Sequence, residues 1–211
     1  MPPFIIRSFA KGLSRAVTCA FGPLRSACPR GIRGTAEPVV LLMLLSLVAG
    51  VSAAKAGPGK LELKTTAFRP GGTIPATFTC SGADVSPELS WNQPPLRTQT
   101  FVLIVDDPDA PAGTWVHWVV YNLPASLRQL PEHVPPGSSI AGGGEQGLND
   151  FPKAGYGGPC PPPGKPHRYF FRLYALDKKL DLQGSVRRQE VDAAMQGHIL
   201  AQAELMGRFG R

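Results

Sequence analysis

Several chemistries are excluded by what this sequence omits. None of the four cysteines, Cys19, Cys28, Cys80 and Cys160, stands at C-x-x-C spacing, which removes the usual local signature of a zinc ribbon or a dithiol redox centre. The four histidines form neither H-x-H nor H-x-x-x-H, so no local pair of metal ligands is present and no metal or other cofactor is expected. There is no G-x-S-x-G and neither Cys80 nor Cys160 sits in a nucleophile signature, so a hydrolase would lack a recognisable activated nucleophile. No internal repeat appears.

Acidic residues are nearly missing from one end. Residues 1–56 hold seven basic residues against the single acid Glu37, which accounts for most of the net charge of +7. The remaining 155 residues are close to neutral and carry no electrostatic footprint for a phosphate backbone, so nucleic acid is not an expected partner. The basic stretch runs into Val39 to Val51, an apolar run of signal-peptide core length and short for a membrane span. Ala54-Lys55-Ala56 follows as a small-x-small cleavage pattern, with Ser52 to Ala54 as a second option. The expectation is export, periplasmic or secreted, with a leader over 1–56 and one folded domain over 57–211. An uncleaved leader acting as a membrane anchor is the alternative, and an organelle transit peptide is a third reading. No cysteine follows the apolar run closely, which disfavours a lipoprotein anchor.

If the leader is removed, Cys80 and Cys160 are the cysteines that stay. In an oxidising compartment such a pair is a disulfide candidate; two separate buried thiols are the equal alternative.

Glycine and proline are abundant, 24 and 23 residues, but lie between strand-like runs rather than in one tract, which suits an all-β, loop-rich fold. Leu61 to Thr65 alternates as an edge strand. Phe68 to Phe78 contains turns and leads to a short strand around Ala76 to Thr79. Asp84 to Trp91 is a loop entering a strand, with Trp91 in the core. Phe101 to Val105 and Trp115 to Tyr121 are strands separated by Asp107-Pro108-Asp109-Ala110-Pro111, a loop stiffened by two prolines. Pro131 to Pro166 is a long loop with its own packing residues, Phe151 and Tyr156, and a loop of that length in a compact domain is usually functional or disordered. His167 to Leu176 is a strand whose period of two puts His167, Tyr169, Phe171 and Leu173 on one face. The spacing of Val191, Ala194, Met195, His198, Ile199, Leu205, Met206 and Phe209 predicts an amphipathic helical segment, capped by Ser185 and weakened at Gly197. The sum is a mainly antiparallel β domain with a peripheral C-terminal helix or helices.

Asp107, Asp109, His117 and His167 fit two descriptions. Carboxylates beside imidazoles at strand ends could orient the rings towards an anionic guest. Alternatively the aspartates satisfy their own turns and the histidines are core residues; spacing alone favours this second description, for Asp109 most of all.

At these residues the chain resembles the phosphatidylethanolamine-binding protein (PEBP) family, specifically its bacterial and archaeal YbhB/YbcL-like, Raf kinase inhibitor-like branch. The motifs are DPDAP at Asp107 to Pro111, WVHWVVYNLP at Trp115 to Pro124, NDF at Asn149 to Phe151 and GYGGPCPPPGKPHRY at Gly155 to Tyr169. The resemblance runs from about Leu61 to the end of the sequence. It implies a large central antiparallel sheet with a smaller flanking sheet and peripheral C-terminal helices. It also implies a non-catalytic pocket for small anions or phosphoryl head groups. Carried over by motif, that pocket would use Asp107, His117, Pro161, Pro162, His167 and Tyr169, with Cys160 beside the prolines and Asp109 either in the pocket or bracing its loop. Eukaryotic relatives carry a second histidine where this chain has Val116. The expected partner is a small anion or phospholipid head group. The alternative is an inhibitor that presents the proline-rich loop Gly155 to Pro166 to a protease or kinase, and a hydrolase is the third reading.

Overall fold

Strand β3, Thr100–Asp107, is buried along its whole length and lies at the centre of a five-stranded antiparallel sheet. Its run of Phe, Val, Leu and Ile suits a pleated surface covered on both sides. In the computed structural model, residues 60–211 are described; the leader expected over 1–56, with Cys19 and Cys28, lies outside them. The described strands before β3 are β1, Leu63–Lys64, and β2, Leu89–Trp91. After it come β4, Trp115–Pro124; β5, Gln129–Leu130; β6, Glu145–Gln146; β7, His167–Leu176; and β8, Ile199–Phe209. The large sheet has the order β6-β4-β3-β7-β8, and β1-β2-β5 form a small sheet beside it. This is the large-plus-small sheet architecture expected from the sequence, with one helix, α1, Arg188–Met195, near the end of the chain.

The period of two along β3 separates two cores. Phe101, Leu103 and Val105 join Leu61, Ile74, Trp91, Trp118, Phe171 and Leu173 on one face. Val102 and Ile104 join Val119, Tyr121, Leu176, Val191 and Met195 under α1 on the other. One irregularity matters for the site. Val105 pairs with Trp118 but Asp106 pairs with Val116, so His117 is an extra residue in β4, opposite no partner. Such a bulge re-aims a side chain. Here it lets His117, whose ring meets Tyr169, and Trp118 both face the larger core, while Val116 and Val119 both face α1.

Three expectations are corrected. Ala76–Phe78 is a turn of 3-10 helix rather than a strand; Pro75 precedes it in extended geometry and leaves no donor for a ladder. The helix predicted through Phe209 stops at Met195, and Ile199–Phe209 is a strand paired along β7. Gly197, at φ +77°, makes the break. Beyond it the buried positions Ala203, Leu205, Gly207 and Phe209 alternate. Gly207 is fixed by crowding, since a Cβ there would come within 2.5 Å of Ile74 Cγ1. Ser185 does not cap the helix: the N-cap is Arg187, whose N–H donates to Glu190 Oε2 at 2.9 Å. Among the described residues no helix is long and apolar enough to cross a membrane.

Candidate functional site

A cavity of about 210 Å³ opens where β3 ends, β4 begins and β7 begins. Asp107, His117, His167, Cys160, Pro161 and Pro162 line it, as do Ala110, Pro111, Trp115 and Phe151. Asp107 is 3% exposed and His117 is 2% exposed. A larger open groove, about 680 Å³, lies along β1 and β8 and brings together none of the candidate residues.

Asp107 spends both carboxylate oxygens within the protein. Oδ1 accepts the Asp109 N–H at 2.8 Å, closing the proline loop, and Oδ2 accepts His167 Nδ1–H at 2.8 Å. His117 Nδ1–H donates to the Gly157 carbonyl at 2.6 Å, while the Gly157 N–H donates to the His117 carbonyl at 2.9 Å. Because a carboxylate and a carbonyl only accept, each Nδ1 carries the proton. The nitrogen left free on each ring is Nε2, which is a lone-pair acceptor while the ring is neutral. Burial pushes the His117 pKa below its ordinary value, against the opposing pull of the Gly157 carbonyl and Asp107.

Two of the expected residues do not line the cavity. Asp109 is clamped from outside by Arg168, which donates from its backbone N–H (2.9 Å), Nε (2.9 Å) and Nη2 (2.6 Å). This hydrogen bonding outweighs burial and lowers the Asp109 pKa to about 2; the residue braces the loop. Tyr169 is fully buried behind the site, edge-on to the His117 ring with centroids 5.3 Å apart. Among the described residues its hydroxyl has no hydrogen-bond partner, and burial, followed by the nearby Asp107 carboxylate, raises its pKa.

The loop that closes the cavity is held by side chains that the sequence singled out as motif or packing residues without revealing their bonds. Asn149, fully buried, donates from Nδ2 to the carbonyls of Gly155 (2.9 Å) and His117 (3.3 Å) and accepts the N–H groups of Phe151 and Lys153. The Gly158 N–H donates to Asp84 Oδ1 at 2.6 Å, and Tyr156 donates to the Phe78 carbonyl at 2.8 Å. Gly158 is pressed against that anchor: a Cβ would lie 2.5 Å from the Phe78 oxygen. A disulfide joins Cys80 to Cys160 across the same seam. Ala110, Pro111 and Trp115 were also missed as wall residues, although all lie in or beside the two motifs that begin the site. The Trp115 Nε1 is buried without a partner. Among the described residues no three His, Cys, Asp or Glu side chains gather as a metal cluster.

Comparison with known proteins turns this geometry into a family. The model of the family described as phosphatidylethanolamine-binding protein matches residues 64–210. The chain belongs to the PEBP family. A UPF0098 protein of Methanothermobacter thermautotrophicus is 48% identical over 151 residues, covering 72% of this chain and 99% of its relative. One from Aquifex aeolicus is 45% identical over 171 residues, covering 80% and 99%. Among solved structures, E. coli YbcL, described as a member of the mammalian PEBP family, superposes with a TM-score of 0.66 at 31% identity, covering 72% of this chain and 99% of YbcL. The PEBP homolog CT736 of Chlamydia trachomatis gives 0.65 at 41% identity, covering 72% and 98%. The chain is therefore a PEBP-type binding protein of the YbcL-like kind.

Proposed function

We propose that the cavity is a non-catalytic binding site for a small anion, either free phosphate or carboxylate or the phosphoryl head group of a phospholipid. The observation that carries this is the pair of imidazoles, His117 and His167, sharing one small cavity with their Nδ1 sides engaged elsewhere. Protonation converts each Nε2 into a charged donor, and Asp107 Oδ2 holds the His167 ring in place from the opposite nitrogen. The walls are mostly apolar, and the few polar groups converge, as small-ligand sites do. A volume of about 210 Å³ admits a head group and excludes acyl chains.

Anion binding in such a site takes up protons, so affinity falls as pH rises through the imidazole titration. Calorimetry with inorganic phosphate on the acid and alkaline sides of that range tests it; equal affinity on both sides, or none, rejects the reading. Flotation with phosphatidylethanolamine vesicles separates the lipid source from the free ion.

A second reading, inhibition of a protease or kinase through the proline-rich loop, draws on the exposure of Pro162 to Pro166; Gly155 to Pro159 is buried, so only the outer half could be presented. Shortening 162–166 should then remove inhibition while His167→Ala spares it. Export is supported by the disulfide, which belongs to oxidising compartments. Amino-terminal sequencing of the exported protein tests cleavage near Ala56 against a retained anchor.

A further inference from the structure

We propose that the Cys80–Cys160 disulfide is a thiol-exchange site, at which a small thiol that enters the cavity is deprotonated by His167 and displaces Cys80 from Cys160. Three observations meet here. Both cysteines are exposed, but Cys160 lines the same cavity as His167, whereas Cys80 lies in a turn that does not line it. His167 Nδ1–H is held by Asp107 Oδ2, so a neutral ring has its Nε2 lone pair free and its imidazolium form has a carboxylate beside it. The cavity is of a size for a guest with few heavy atoms, and its walls are mostly apolar.

The chemistry balances without an added oxidant. The S–H proton of the guest passes to His167 Nε2, leaving a thiolate, which is the reactive form in disulfide exchange. The thiolate attacks Cys160 Sγ, a new sulfur–sulfur bond forms to the guest, and the Cys80–Cys160 bond breaks with its electron pair on Cys80. The Cys80 thiolate then takes up the proton through solvent. The product is Cys160 in mixed disulfide with the guest and Cys80 as a free thiol. The wall survives the step, because Cys80 N–H donates to the Pro159 carbonyl at 3.1 Å and the Gly158–Asp84 and Tyr156–Phe78 hydrogen bonds cross the same seam. The exchange is stoichiometric and does not depend on the anion reading.

The test uses the oxidised full chain with 2-mercaptoethanol as the probe, followed by acid quench, alkylation with iodoacetamide and peptide mapping. The expected result is the mercaptoethanol adduct on Cys160 and the alkyl group on Cys80, with a rate that saturates in thiol. His167→Gln should slow the reaction by about 100-fold, the lower end of what a positioned base contributes. An adduct that falls on Cys80 as often as on Cys160, or a rate linear in thiol throughout, overturns the proposal. So does an unchanged rate in a folded His167→Gln chain. The first two readouts come from the unsubstituted chain and stand even if the variant does not fold. Phosphate calorimetry judges the anion reading separately.

Discussion

Asp106 and Asp107 are neighbours on β3, almost equally buried at 1% and 3% exposure, and they do opposite work. Asp106 points beneath α1, where it pairs with Arg172 and, at 2.6 Å, with Arg188. Those arginines continue to Glu204 and Asp192 at 3.1 and 3.0 Å, so the charge is neutralised twice and every member of the network is held. Asp107 points the other way, and among the described residues the one partner within ion-pair distance of it is His167. A buried carboxylate surrounded by fixed cations is structure. One whose only counter-charge is titratable can respond to a guest.

Removing Asp106 should therefore have the largest effect on stability and little on the site. Asp106→Ala leaves two part-buried guanidinium groups without their shared partner and should cost about 3–5 kcal/mol in denaturant unfolding, with phosphate affinity of the folded protein kept. A cost under about 1 kcal/mol, typical of an exposed pair, would erase the contrast. Asp107→Asn should show the reverse. It removes the carboxylate that holds His167 Nδ1, and acid-side phosphate binding should weaken by about 1.5–3 kcal/mol, the range for hydrogen bonds to charged groups, with a smaller loss of stability than Asp106→Ala.

The two histidines supply a finer test. Burial lowers the His117 pKa in the folded protein, so its contribution to stability is present above the unfolded imidazole value of about 6.5 and is lost as pH falls through the folded value. Thermal unfolding should show that loss, and His117→Phe should remove it. Added phosphate should reduce it, because an anion stabilises the charged ring. The smallest effect belongs to Asp109. Its pKa of about 2 lies below the unfolded value of about 3.9, so its stabilisation holds above that value and disappears as pH drops towards 2. Arg168 is nearly half exposed, and Asp109→Asn should cost under about 1 kcal/mol with no change in phosphate binding; acid titration of both proteins would reveal a larger role.

The contrast between these residues was partly legible in the chain. β7 follows the alternation of His167 to Leu176 as expected, since an apolar and aromatic run bounded by proline has few other outcomes. The motifs around Asp107 and Gly155 to Tyr169, with His117, named six residues that line one cavity. The C-terminal stretch was misread because Leu205, Met206 and Phe209 satisfy a helical spacing, while Leu205 and Phe209 also satisfy a strand's. Pairing with β7 and the crowding of Gly207 against Ile74 decided between them. Tyr169 was expected in the cavity by motif, and Asp109 either there or bracing its loop; a local pattern does not reveal that Arg168 reaches back to Asp109 or that Tyr169 packs behind His117.

By itself the sequence determined the long strands β3, β4 and β7, through apolar alternation and proline breaks, and which short motifs carry polar side chains among apolar ones. It could not determine that His117 and Trp118 face the same side, because that depends on one unpaired residue in β4, and a bulge exists only relative to the neighbouring strand. Nor could it join Cys80 to Cys160 or bring His167 to Asp107 across 60 residues of chain, since those contacts form only when separate strands share one sheet.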